Sequence, residues 1–113
     1  QVAWSNLSDI REKKDIDDIG YGLNFIKQLR PVQFRMKTGN DRIDFGFIAQ
    51  DIELTLGTGY NILGIGGTDD RMLSLRYTDF IAPMVKAMQE QQVIIDDLKA
   101  RIEKLEALLA VRP

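Results

Sequence analysis

Ser8 and Lys13, five residues apart, pair a hydroxyl nucleophile with an amine base. A serine hydroxyl attacks a carbonyl poorly at neutral pH unless a base takes its proton. A lysine can be that base when burial or positive neighbours favour its neutral form, and Arg11 and Lys14 flank Lys13. The chain has no cysteine and no histidine. This removes thiolate chemistry, a disulfide framework, the usual general base and the commonest metal ligand. Acid-base chemistry is thereby confined to Lys, Asp, Glu and Tyr. A five-residue spacing is also common among inert surface residues, so the pair gains meaning only from its context.

Other motifs carry less. Gly64-Ile65-Gly66-Gly67 lacks the following lysine and the strand-loop-helix frame of a phosphate-cradling loop, and reads as a tight turn. Asp15, Asp17 and Asp18 lack the glycine and distal glutamate of a calcium loop and read as solvated charge or helix-start acids. No cofactor and no metal is implied. The net charge of -2 comes from 15 basic and 17 acidic residues, interspersed in sign, so no basic face argues for nucleic acid or an anionic membrane. No apolar run is long enough to span a bilayer, and no signal peptide is evident. Gln1-Val2-Ala3-Trp4 is not an initiator sequence, so the chain is expected to be a piece of something longer.

The elements that would position the pair follow from periodicity. After an uncharged extended segment at 1–7, the charge-dense stretch from Ser8 to Asp18 leads into a helix expected from near Asp17. Its apolar face is Ile19, Leu23, Ile26 and Leu29; Gly20 and Gly22 weaken its start and Pro31 stops it. Val32–Met36 and Ile43–Ile48, joined by Lys37-Thr38-Gly39-Asn40-Asp41, predict a hairpin. Ala49–Leu56 predicts a short helix ending at Gly57. Tyr60–Ile65 and Met72–Tyr77 are two further strands around the turn 66–70.

Thr78 is a candidate N-cap, with Asp79 favourable in the first turn and Pro83 where a helix tolerates it. From there to about Ala110 the pattern stays helical. Ile81, Met88, Ile95, Ile102 and Leu109 occupy a positions, and Met84, Gln91, Leu98 and Leu105 occupy d positions. A helix of roughly 45 Å, at 1.5 Å per residue, outreaches a core of this size and needs partner chains. Parallel association would set Arg101 at g against Glu106 at e of a neighbour. Ile at a with Leu at d favours dimers, whereas Ile94 and Leu108 at g widen the stripe and favour a higher order. Periodicity alone leaves dimer and trimer open.

Four motifs occur in order: Ser8-Asp9-x-Arg11-x-Lys13-x-Asp15-Ile16, Leu29-Arg30-Pro31-Val32-x-Phe34, Gly46-Phe47-Ile48-Ala49-Gln50-Asp51-Ile52, and Tyr77-Thr78 opening the terminal helix. Together they resemble the intramolecular chaperone domain that ends phage endosialidases, tail fibres and neck appendages, an S74-type self-cleaving peptidase. A related domain lies inside a eukaryotic membrane-bound transcription factor. The resemblance implies an α+β fold. Its small globular part has short helices and a small antiparallel sheet or hairpins, followed by a long C-terminal helix in a parallel trimeric coiled coil. It divides the chain into an upstream segment 1–7, a globular chaperone and autocleavage part 8–77, and a trimerisation helix 78–113.

The resemblance also implies a function. The homotrimer would template folding of an N-terminal β-rich fibre or tailspike chain, then release itself by cutting at Leu7–Ser8 through a Ser8–Lys13 dyad. Asp9 and Arg11 are the candidates for holding the bend at that bond. Assembly would take place in the host cytoplasm, with the domain released from the mature virion protein. The alternative is a non-catalytic trimerisation tag or adaptor with an inert pair.

Overall fold

The computed structural model describes residues 7–67 and 69–111. Most of the expected upstream segment (1–6), one residue of the expected turn 66–70 (68) and the last two of the expected helix 78–113 (112–113) lie outside the described residues. The fold is α+β, with two small antiparallel sheets and a long C-terminal helix.

A 3-10 turn at Ile10–Glu12 comes first, followed by helix α1 at Leu23–Gln28. The helix expected from Asp17 is therefore shorter at its start, for a reason distant in sequence. Gly22 is buried against α3, and a side chain there would collide with Glu90 and Lys86. The Glu90 carboxylate accepts the Leu23 N–H at 2.8 Å, so a residue from the far helix starts α1. At the other end Leu29 is already extended (φ -72°, ψ 145°), ahead of Pro31.

Strands β1 (Val32–Phe34) and β2 (Asp44–Gly46) form the expected hairpin, with Val32 opposite Gly46 and Phe34 opposite Asp44. Helix α2 spans Ala49–Leu56 and ends at Gly57, whose φ of 76° suits glycine. Strands β3 (Leu63–Ile65) and β4 (Leu73–Leu75) make the second hairpin. All four strands are three residues long, shorter than the sequence pattern indicated.

Thr78 does not cap the terminal helix. The chain enters it through a 3-10 turn at Tyr77–Phe80, and helix α3 runs Ile81–Ala110. Two contacts account for this turn. The Tyr77 hydroxyl accepts the Phe47 N–H at 3.3 Å, close against Gly46, where any side chain would collide with the Tyr77 ring. Phe80 is buried, stacked on Phe47 (centroids 4.8 Å apart) and Phe25 (6.4 Å). Pro83 falls in the first turn of α3, where its missing N–H costs no helical hydrogen bond.

The buried core is Phe25, Ile52, Ile62 and Phe80, one residue each from α1, α2, the approach to β3 and the 3-10 turn that enters α3. Ile26, Leu29, Phe47, Leu56 and Leu75 pack around it. This core is small, and α3 extends well past it. The radius of gyration is 20.8 Å, and the long dimension is 74 Å. A compact chain of this length would have a radius of gyration of about 13 Å. Pro83 and Ala87 bury one flank of α3 against the body of the domain, whereas every residue from 91 to 110 is exposed.

Candidate active site

The 3-10 turn brings the two ends of the first motif together. Asp9 caps it, its carboxylate accepting the Arg11 N–H at 2.9 Å. The same carboxylate accepts Arg11 Nε at 3.1 Å and Nη2 at 2.7 Å, a two-pronged clasp across the turn. Glu12 and Lys13 close it through backbone N–H bonds to Asp9 and Ile10. Lys13 then lies back over Ser8, and its Nζ donates to Ser8 Oγ at 2.8 Å. This is the separation at which the same line carries a proton from a serine hydroxyl to a neutral amine. The chain turns away at Asp15, whose φ of 53° lies in the left-handed region that Asp tolerates better than most side chains.

The hydrogen bond with Arg11 holds the Asp9 carboxyl below its ordinary range, and the same bond raises Arg11. The clasp is thus charged at neutral pH and loses its acceptor on strong acidification. Both groups face solvent, so the clasp serves local geometry more than stability.

Ser8 and Lys13 lie on the wall of an open groove of about 1070 Å³ that also meets Leu7, on the other side of the candidate scissile bond. The start of α3 also lines it, through Ile81, Ala82, Pro83, Val85, Lys86 and Gln89, as does Phe25 of α1. Its floor includes Tyr21 and Tyr60, which meet edge-to-face with centroids 5.5 Å apart. The Tyr60 hydroxyl donates to Tyr21 at 3.4 Å, and this bond raises the Tyr60 phenol above its usual value. Neither tyrosine stood out in the sequence, since they are 39 residues apart and lie in segments read only for their apolar period. Ser8 and Lys13 themselves are exposed in the single chain.

The residues assigned to a trimer seam lie on one face of α3. Ile81, Met84, Met88, Ile95, Leu98, Ile102, Leu105 and Leu109 are each at least 45% exposed, and Gln91 is exposed with them. Ile94 and Leu108 flank the same stripe and are also exposed. Within the chain, Arg101 pairs with Asp97 at 3.8 Å. No helix among the described residues is long and apolar enough to cross a membrane.

Residues 8–56, from the serine of the candidate pair to the end of α2, match the sequence profile of a family described as the chaperone of endosialidase, peptidase S74. This segment is similar to the peptidase S74 family. No curated protein matches the chain. The S74 segment contains the whole first motif, α1, the first hairpin and α2, while the second hairpin and α3 lie beyond it. The match supports an intramolecular chaperone role, which implies association with a parent fibre chain.

Proposed function

We propose that the chain trimerises through α3, templates the folding of a β-rich fibre or tailspike chain attached upstream, and then cuts itself away at Leu7–Ser8. The observation that carries the chemistry is the 2.8 Å contact between Lys13 Nζ and Ser8 Oγ within the S74 segment. In the neutral state Lys13 takes the Ser8 hydroxyl proton as Oγ attacks the Leu7 carbonyl. The C–N bond between Leu7 and Ser8 breaks, and the proton passes from Lys13 to the Ser8 amine. Water then hydrolyses the Leu7 ester on Ser8 Oγ. Asp9 and Arg11 keep the turn closed so that Lys13 stays over the hydroxyl.

The parallel trimer is supported by the continuous exposed stripe on α3 and by the family. Three chains would bury that stripe, and at roughly 25 cal/mol per Å² of apolar surface this is the dominant driving force available to the helix. Registering three upstream chains is slow because their contacts are distant in sequence, and a preformed trimer lowers that cost. Once formed, the fibre persists by slow unfolding, so the template becomes dispensable. Assembly belongs in the host cytoplasm before the virion is complete.

The test is a precursor extended upstream of Gln1. Cleavage is expected to leave Ser8 as the new N-terminus, and Ser8→Ala is expected to abolish it. Lys13→Met removes the base, and Lys13→Arg substitutes a group that stays protonated, so both are expected to remain uncut. Cleavage at full rate in Ser8→Ala overturns the assignment. Deleting the domain is expected to leave the upstream chains unfolded, whereas removing it after assembly leaves them folded. Equal refolding without the domain would reduce it to a trimerisation tag.

A further inference from the structure

The cleavage chemistry accounts for Ser8 and Lys13 but leaves most of the groove beside them without a task. Its lining draws Ile19, Tyr21, Phe25, Leu56, Ile62 and Val85 from α1, α2, α3 and the segments that approach α1 and β3. Phe25 and Ile62 belong to the buried core, so the groove gives onto the apolar interior of the domain. A concave apolar surface beside a reacting bond is suited to hold an apolar side chain. One such side chain already stands at its border. Leu7 lines the groove and is nonetheless 77% exposed, so it meets this surface without being covered by it.

Leu7 also carries the carbonyl that Ser8 would attack. Lys13 holds Ser8 Oγ at 2.8 Å, whereas among the described residues no hydrogen bond holds the Leu7 carbonyl. Attack needs both partners in one geometry, and adjacency in sequence supplies proximity without orientation. The side chain is the remaining handle on that end of the bond. We propose that the groove is an apolar subsite for residue 7, and that its occupancy selects as substrate an apolar residue on the carbonyl side of the cut. The inference rests on the cleavage at Leu7–Ser8 proposed above. Burying a leucine side chain is worth a factor of about ten to a hundred in occupancy, and a polar side chain of similar shape forfeits most of it. A carboxylate at residue 7 would in addition share the groove with Asp18 and Asp79, which also line it.

The test uses the precursor extended upstream of Gln1, with residue 7 and the groove varied separately. Leu7→Asn keeps much of the shape and loses the apolarity, and it is expected to slow cleavage by about tenfold or more. Leu7→Asp is expected to be slower still. Leu7→Met, which is apolar and adaptable, is expected to be cut several-fold faster than Leu7→Asn. On the groove side, Ile19→Asn and Val85→Asn are each expected to slow cleavage of a precursor that keeps Leu7. Neither residue is part of the buried core, so the unfolding midpoint is expected to hold. A folded Leu7→Asn precursor cut at the unaltered rate overturns the subsite alone. Slow cutting of Leu7→Asn with both groove variants cut at the unaltered rate assigns the effect to residue 7 itself, and overturns the groove as its seat. An unaltered precursor that is not cut removes the cleavage reading and this inference with it.

Discussion

The two halves of α3 are one continuous helix with opposite relations to the rest of the chain. Residues 81–90 use Pro83 and Ala87 for burial and Glu90 for a hydrogen bond to α1, while every residue from 91 to 110 is exposed. Yet the apolar stripe continues through both, from Ile81 to Leu109, with the polar Gln91 at one d position. In the first half, therefore, the helix has two apolar surfaces, one already covered and one not. A helix that only capped its own domain would not need the second. The difference marks where burial within the chain ends: Phe80 and Ala87 are buried within one chain, and the stripe is exposed, the surface that the proposed trimer would cover.

The sharpest way to break this division is to place charge in the stripe beyond the core. Ile95→Asp with Ile102→Asp would bury carboxylates along the seam of every chain, at a cost of several kcal/mol per ion. The expected outcome is a monomer by sedimentation whose domain still unfolds cooperatively, because neither residue meets Phe25, Ile52, Ile62 or Phe80. The precursor should then stay uncut although Ser8 and Lys13 are intact. Phe80→Ala attacks the other side of the division. It removes the ring stacked between Phe47 and Phe25, and a loss of about 3–5 kcal/mol is expected in denaturant unfolding.

Much of this was open to reading in the sequence, and the rest fails for identifiable reasons. Helix α2 and both hairpins are local: each is bounded by its own turn residues, such as Gly57 or the segment around Gly39. The Ser8–Lys13 contact is equally local, because a single 3-10 turn capped by Asp9 spans it. The start of α1 was misread because its cap, Glu90, is 67 residues away and no window of periodicity includes it. Thr78 has the residue type of a cap, but the burial of Phe80 and the Tyr77 bond to Phe47 move the helix start by two residues, to Ile81. The groove was invisible for the same reason, since its walls come from elements joined only by the fold.

A smaller change tests the long-range cap. Glu90→Ala removes the acceptor for Leu23 N–H, and a loss of about 1 kcal/mol is expected from the thermal or denaturant midpoint. Amide exchange at Leu23 should accelerate while that of the turns beyond residue 91 is unchanged.

The least effect is expected at the surface pair of Arg71 and Glu53, which ties the β3–β4 turn to α2. The hydrogen bond from Arg71 holds the Glu53 carboxyl below its ordinary range. A depressed carboxylate contributes stability that is present above its unfolded-state pKa and is lost as pH falls through the folded one. Arg71→Ala should therefore be slightly less stable than the unaltered protein at neutral pH, and the difference should vanish on acidification below the carboxylate range. A difference that grew with acid would contradict the pairing.

The division of α3 is tested most directly by sedimentation equilibrium of the unaltered chain over a range of concentrations. The expected result is a species of three times the chain mass that dissociates in the Ile95→Asp, Ile102→Asp variant. A compact monomer at all concentrations would contradict it, because the stripe from Ile81 to Leu109 would then have no partner chain to cover it.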